Sequence, residues 1–115
     1  MKKESDAILL RIFIGESTMH EGKHLYKYLV EFFKKEGLAG VTVLRGIDGF
    51  GKSSHAHTTS ILRLSTDLPI VVEVADTQTK IDAIKPKLDE IITEGMITEE
   101  KVKIILYKGN DKKSS

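Results

Sequence analysis

The segment Ala7-Ile8-Leu9-Leu10-Arg11-Ile12-Phe13-Ile14 limits the fold more than any other. At a period of two, Ile8, Leu10, Ile12 and Ile14 share one face of a strand. Leu9 and Phe13 share the other, with Arg11 between them. A strand that is apolar on both faces needs cover on both. The chain has 115 residues, enough for one core. One helical layer in so small a chain covers one face, so the second is expected to meet another subunit.

The remaining patterns follow in alternation. Thr18-Met19-His20-Glu21 has the form of a capping box and predicts a helix from there to Glu36. Leu25, Tyr28, Leu29 and Phe32 form its apolar stripe, Lys34 and Lys35 its basic last turn, and Gly37 its terminating residue. Val41 opens a second strand. Pro69 opens a third, in which Ile70, Val72 and Val74 alternate with Val71, Glu73 and Ala75. Asp76 or Thr77 caps a second helix with the stripe Ile81, Ile84, Leu88 and Ile91 or Ile92. Pro86 predicts a kink within it. Gly95 ends the helical region, Met96 to Glu100 read as a turn, and Val102, Ile104 and Leu106 mark a last strand. The order β-α-β-β-α-β is that of an α+β, ferredoxin-like sandwich: a four-stranded antiparallel sheet with two helices on one face.

Composition excludes several classes. Formal net charge is +1, which gives no global field for nucleic acid. Without cysteine there is no disulfide, thiolate metal site or cysteine nucleophile. Arg11 breaks the first apolar stretch and no small-residue cleavage site follows, against a signal peptide. No apolar run approaches the ~20 residues of a membrane span. The expectation is a cytoplasmic protein.

Arg45 to His57, Arg-Gly-Ile-Asp-Gly-Phe-Gly-Lys-Ser-Ser-His-Ala-His, is the chemically dense stretch. Its glycines let backbone N–H groups form an anion-binding concavity, and Arg45 and Lys52 add positive charge. A phosphate-bearing ligand is the natural candidate. The same residues admit a plain glycine turn with no ligand. Gly46 to Ser53 also matches G-x-x-x-x-G-K-S, the phosphate-binding P-loop. A P-loop must feed a helix aimed at the phosphates, and the Ser-, Thr- and His-rich run after Lys52 has no apolar stripe. His20-Glu21-Gly22-Lys23-His24 matches the zinc-protease motif H-E-x-x-H, but it sits in a first helical turn, with a glycine inside and no third ligand at a standard spacing. His55 and His57 form an H-x-H pair that reads as exposed loop. No metal and no catalytic residue is expected.

These residues carry a resemblance. Gly49-Phe50-Gly51-Lys52 followed by His55 resembles the base of the T-loop in PII signal-transduction proteins. Asp67-Leu68-Pro69 resembles the segment returning from it, and Gly95 to Val102 the PII B-loop. Gly-Val-Thr-Val-x-Arg-Gly-x-x-Gly-Phe-Gly from Gly40 to Gly51, with Leu-Ser-x-Asp-Leu-Pro from Leu64 to Pro69, is similar to the mark of a family of small bacterial and archaeal PII-like proteins. The resemblance implies one PII-like domain over residues 1–115, with a core at about 7–108, a T-loop-like segment at about 48–67 and a polar tail at 110–115. It implies a homotrimer that binds an adenine nucleotide in clefts between subunits and reports occupancy through the T-loop to a partner protein. Carried over, Arg45, Gly46, Gly49, Phe50, Gly51 and Lys52 line the nucleotide from one side, and Gly95 and Lys101 from the B-loop. Relatives encoded beside transport proteins point to a membrane transporter or channel as partner. The run 52–67 has no tyrosine to modify, Thr98-Glu99-Glu100 replaces the PII B-loop interior, and the C-terminal arginines of PII are missing. Fewer cations favour AMP or ADP over ATP. The alternatives are a small P-loop-like nucleotide hydrolase and a structural oligomer with no small ligand.

Overall fold

The computed structural model describes residues 1–49 and 67–109. In chain order these form β1 (Lys2–Gly15), β2 (Met19–His20), β3 (Lys23–His24), α1 (Leu25–Lys35), β4 (Val41–Arg45), β5 (Pro69–Asp76), α2 (Gln78–Ile91) and β6 (Met96–Tyr107). The main sheet has the order β4-β5-β1-β6, and every pairing in it is antiparallel. This is the expected ferredoxin-like arrangement, with a small β2–β3 hairpin added ahead of α1.

Alternation decides the packing. Ile8, Leu10, Ile12 and Ile14 of β1 and Ile70, Val72 and Val74 of β5 all point to the helix side and are buried. They meet Leu25, Leu29 and Phe33 of α1 and Ile81, Ile84, Leu88 and Ile91 of α2 in one core. The stripe of α1 is therefore rotated slightly from the expected one: Phe33 is buried, while Tyr28 and Phe32 pack at its margin. Gly37, at φ +82°, closes α1. The Gly37 N–H donates to the Lys34 carbonyl at 3.2 Å and the Leu38 N–H to that of Phe33 at 3.0 Å, the paired bonds of a Schellman ending. Thr77 caps α2, its hydroxyl accepting from the Lys80 N–H. Pro86 lies inside α2 without ending it.

Two expectations are corrected. The helix foreseen from Thr18 begins only at Leu25. Glu21 and Gly22 take positive φ, +49° and +82°, and the chain doubles back so that Met19 opposes His24 and His20 opposes Lys23. Two successive residues at positive φ make a hairpin turn, and a glycine within the proposed first turn weakened the helical alternative. The turn foreseen over Met96 to Glu100 is strand: β6 pairs with β1 from Phe13↔Met96 to Lys2↔Tyr107. Its Thr, Glu and Lys residues lack apolar alternation because this is an edge strand with open sides. β1 likewise starts at Lys2, well before Ala7. Ahead of Ile8, β1 pairs with β6 alone, as a two-stranded ribbon.

Among the described residues, no helix covers the opposite face of the sheet. Leu9 and Phe13 of β1, Val71 and Ala75 of β5, Leu44 of β4 and Met96 of β6 lie on it by register. Leu44 is 48% exposed and Met96 55%. At its centre Arg11 donates from Nε to Glu73 at 3.0 Å and from Nη1 to Glu100 at 2.7 Å. The hydrogen bonds to Glu73 and then Glu100 raise the Arg11 pKa further above its ordinary value. Among the described residues, no helix is long and apolar enough to cross a membrane.

Candidate functional site

Antiparallel pairing brings four strand ends to one rim of the sheet. Gly15 at the end of β1 opposes Pro69 at the start of β5. Arg45 at the end of β4 opposes Ile70, and Met96 at the start of β6 opposes Phe13. Of the residues singled out in the sequence, Arg45, Gly46, Gly49 and Gly95 therefore gather at this rim. Phe50, Gly51 and Lys52, and with them His55 and His57, lie outside the described residues.

The glycines permit close passage of one backbone over another. A Cβ on Gly46 would stand 2.8 Å from Pro69 Cγ, and the Gly46 N–H donates to the Pro69 carbonyl at 2.7 Å. A Cβ on Gly95, at φ +145°, would meet the Phe13 carbonyl oxygen at 2.8 Å and Ile14 Cγ2 at 3.0 Å. Gly49 follows Asp48, whose carboxylate accepts the Gly49 N–H at 2.8 Å. Two of the N–H groups expected to cradle an anion are thus satisfied within the chain.

The charges of the rim are arranged in pairs. Arg45 donates from Nη2 to Glu16, and this guanidinium is 55% exposed. Asp67 accepts from the Ser17 hydroxyl at 2.9 Å, tying the β1 exit to the residue before Leu68. The Glu16 N–H donates to the Leu68 carbonyl at 2.9 Å. Glu16 and Asp67 were not singled out as site residues. Asp67 had a local signal in its Leu-Ser-x-Asp-Leu-Pro setting, whereas Glu16 meets Arg45 only through folding across 29 positions. Among the described residues, Glu16, Asp48 and Asp67 outnumber Arg45 at this rim, so an anion entering here must displace a carboxylate from Arg45 or bring in further cations.

Lys101 lies elsewhere. It opposes Ile8 in β6, about five strand steps from Met96, or ~17 Å along the strand. There it lines a cleft of about 510 Å³ with Asp6, Ala7, Ile8, Gln78, Val102 and Lys103. Within one chain, Lys101 cannot share a nucleotide phosphate with Arg45 and Gly46. The H-E-x-x-H histidines fall on the two strands of the hairpin. His20 packs edge-on against Tyr28, centroids 4.4 Å apart, and His24 Nδ1 is 3.0 Å from the Glu16 carbonyl oxygen. Among the described residues, no three His, Asp or Glu side chains converge as metal ligands.

Known proteins share this architecture. The model of the DUF190 family, described as uncharacterized ACR, matches residues 7–104. A UPF0166 protein of Aquifex aeolicus is 44% identical over 99 residues, covering 84% of this chain and 91% of its own. A UPF0166 protein of Methanocaldococcus jannaschii is 38% identical over 86 residues, covering 75% and 79%. Among solved structures, CPII of Thiomonas intermedia K12, a nitrogen regulatory PII-like protein bound to ADP, AMP and bicarbonate, superposes with a TM-score of 0.55. The superposition covers 89% of this chain and 91% of CPII at 13% identity, a likeness of fold.

Proposed function

This chain belongs to the DUF190 family, and from that premise we propose that it is a PII-like regulatory protein, not an enzyme. In this reading it binds an adenine nucleotide, AMP or ADP in preference to ATP, between subunits of a homo-oligomer, expected to be a trimer. The observation that carries it is the convergence of Arg45, Gly46, Gly49 and Gly95 on one rim while Lys101 stands midway along β6, about five strand steps away. Two cations held this far apart, on the two edge strands of one sheet, can grip one phosphate chain only when a neighbour supplies the second. The solved PII-like protein that holds ADP and AMP supports the choice of ligand class. Phe50, Gly51 and Lys52 would complete the near side of the cleft, and the 48–67 segment would report occupancy to a protein partner, with a membrane transporter or channel the class proposed. Ligand contacts that favour one arrangement of that segment suffice as mechanism, with no bond made or broken.

Calorimetry against AMP, ADP and ATP tests this reading. AMP or ADP should bind. Arg45→Ala and Lys101→Ala should each cost about 1–3 kcal/mol, the range for a lost charge-assisted hydrogen bond. Glu16→Gln, which releases Arg45 from its carboxylate, should tighten binding. Absence of heat with all three nucleotides would favour the structural oligomer, and Lys52-dependent ATP turnover the hydrolase.

A further inference from the structure

The free end of the β1–β6 ribbon gathers apolar and basic side chains away from both the core and the glycine rim. Among the described residues, 2–7 of β1 pair with 102–107 of β6 and with no other strand. The Lys108 N–H closes the ladder on the Met1 carbonyl at 2.9 Å. Register sorts the side chains: Lys2, Glu4, Ile105 and Tyr107 share one face, Lys3 and Leu106 the other. Tyr107 is 72% exposed, Leu106 50% and Ile105 46%. Residues 2–7 and 102–108 hold four lysines against two carboxylates, in a chain whose formal net charge is only +1. Lys2 approaches Glu4 no closer than 4.0 Å. Among the described residues, Lys3, Lys103 and Lys108 make no ion pair.

We propose that this end of the ribbon docks on an anionic lipid bilayer. Tyr107, Ile105 and Leu106 dip into the headgroup boundary, and Lys2, Lys3 and Lys108 meet the lipid phosphates. Shape, chemistry and charge select that partner. The ribbon end is a blade with apolar side chains on both faces. A small-molecule site is concave, and a rigid flat surface would cover one face only. A fluid interface closes around both. A tyrosine ring has an apolar body and a polar tip, which suits the boundary between water and hydrocarbon. Lysine stems lie along apolar surface while their ammonium groups stay in water. Clustered lysines are attracted by the negative potential of an anionic leaflet. The contact is superficial, because the open edges of a two-stranded ribbon carry backbone groups that hydrocarbon cannot satisfy. Such a segment lies on a membrane without spanning it. β1 is 14 residues long, so Gly15 and the rim stand ~40 Å from Lys2 and stay clear of the surface. The proposal is therefore independent of the nucleotide reading.

Vesicles test it, with the full chain as the ligand. The natural chain should sediment with vesicles of equal parts phosphatidylcholine and phosphatidylglycerol, and not with phosphatidylcholine alone. Added salt should release it, since exposed charges are screened. The chain has no tryptophan, so Tyr107→Trp reports on the ribbon end alone. Its emission should move to the blue when the mixed vesicles are added. Lys3→Gln combined with Lys108→Gln should lower partitioning at least about tenfold. Ile105→Ser combined with Tyr107→Ser should also lower it at least about tenfold. Neither pair touches the core, so circular dichroism should not change. Failure of the natural chain to sediment with the mixed vesicles would overturn the proposal. Equal sedimentation with phosphatidylcholine alone would overturn the role of the lysines. Sedimentation with no change in the emission of Tyr107→Trp would place the contact on another surface. A blue shift of Tyr107→Trp with polyglutamate, but none with vesicles, would assign the ribbon end to an acidic protein and exclude lipid.

Discussion

A methyl group on Gly95 would collide with the end of β1. The position also has a φ of +145°, which side chains with a Cβ avoid. Gly95→Ala should therefore cost about 1–3 kcal/mol, read as a lower urea midpoint at unchanged m-value. A second residue-scale contact ties α2 to β6: Lys85 donates to Glu99. That hydrogen bond is the main reason the Lys85 pKa is raised above 10.5. The sign follows from linkage. A lysine whose folded value exceeds its unfolded one contributes stability below the unfolded value and loses it as pH rises through the folded one. Glu99→Gln should therefore melt slightly below the natural chain at pH 7, and the gap should close above about pH 10.5. Equal gaps at both pH values would remove this ion pair from the account.

At the scale of elements, legibility tracked burial. β5 and α2 were readable because Ile70, Val72 and Val74 alternate at a period of two and Ile81, Ile84, Leu88 and Ile91 recur at helical spacing. The sequence left the cap open between Asp76 and Thr77, both directly ahead of the helix pattern; the structure selects Thr77, and Thr77→Ala should cost about 1 kcal/mol in thermal or urea unfolding. The β2–β3 hairpin was not readable. Thr18 and Glu21 satisfy a capping pattern, but the turn at Glu21 and Gly22 delivers Leu25 to the core with its N–H on the Thr18 carbonyl at 2.8 Å. The first half of β6 was hidden for another reason. Glu99, Glu100 and Lys101 carry no apolar period, and their strand conformation comes from pairing with Leu10, Leu9 and Ile8.

At the scale of the whole molecule, the described residues leave the sheet with one face closed by helices and one bare. The bare face predicts that Phe13→Glu, a charge placed among Val71, Leu44 and Met96 on the side away from the helices, leaves the helical core intact, read as unchanged circular dichroism. The candidate site is likewise a whole-molecule property. Arg45 and the glycines stood out because charge and glycine were concentrated in one run, but the positions of Lys101 and Glu16 relative to that run were invisible. The sequence by itself determined the fold class, the order of the four main strands and two helices, and the buried sides of β1, β5 and α2. These are local matters of period, capping and backbone freedom. Only the tertiary structure decided that Arg45 is held by Glu16, that Lys101 lies halfway along β6 from the glycine rim, and that Arg11 is shared by Glu73 and Glu100. Each depends on which residues antiparallel pairing sets side by side across long stretches of chain, and no local pattern carries that register.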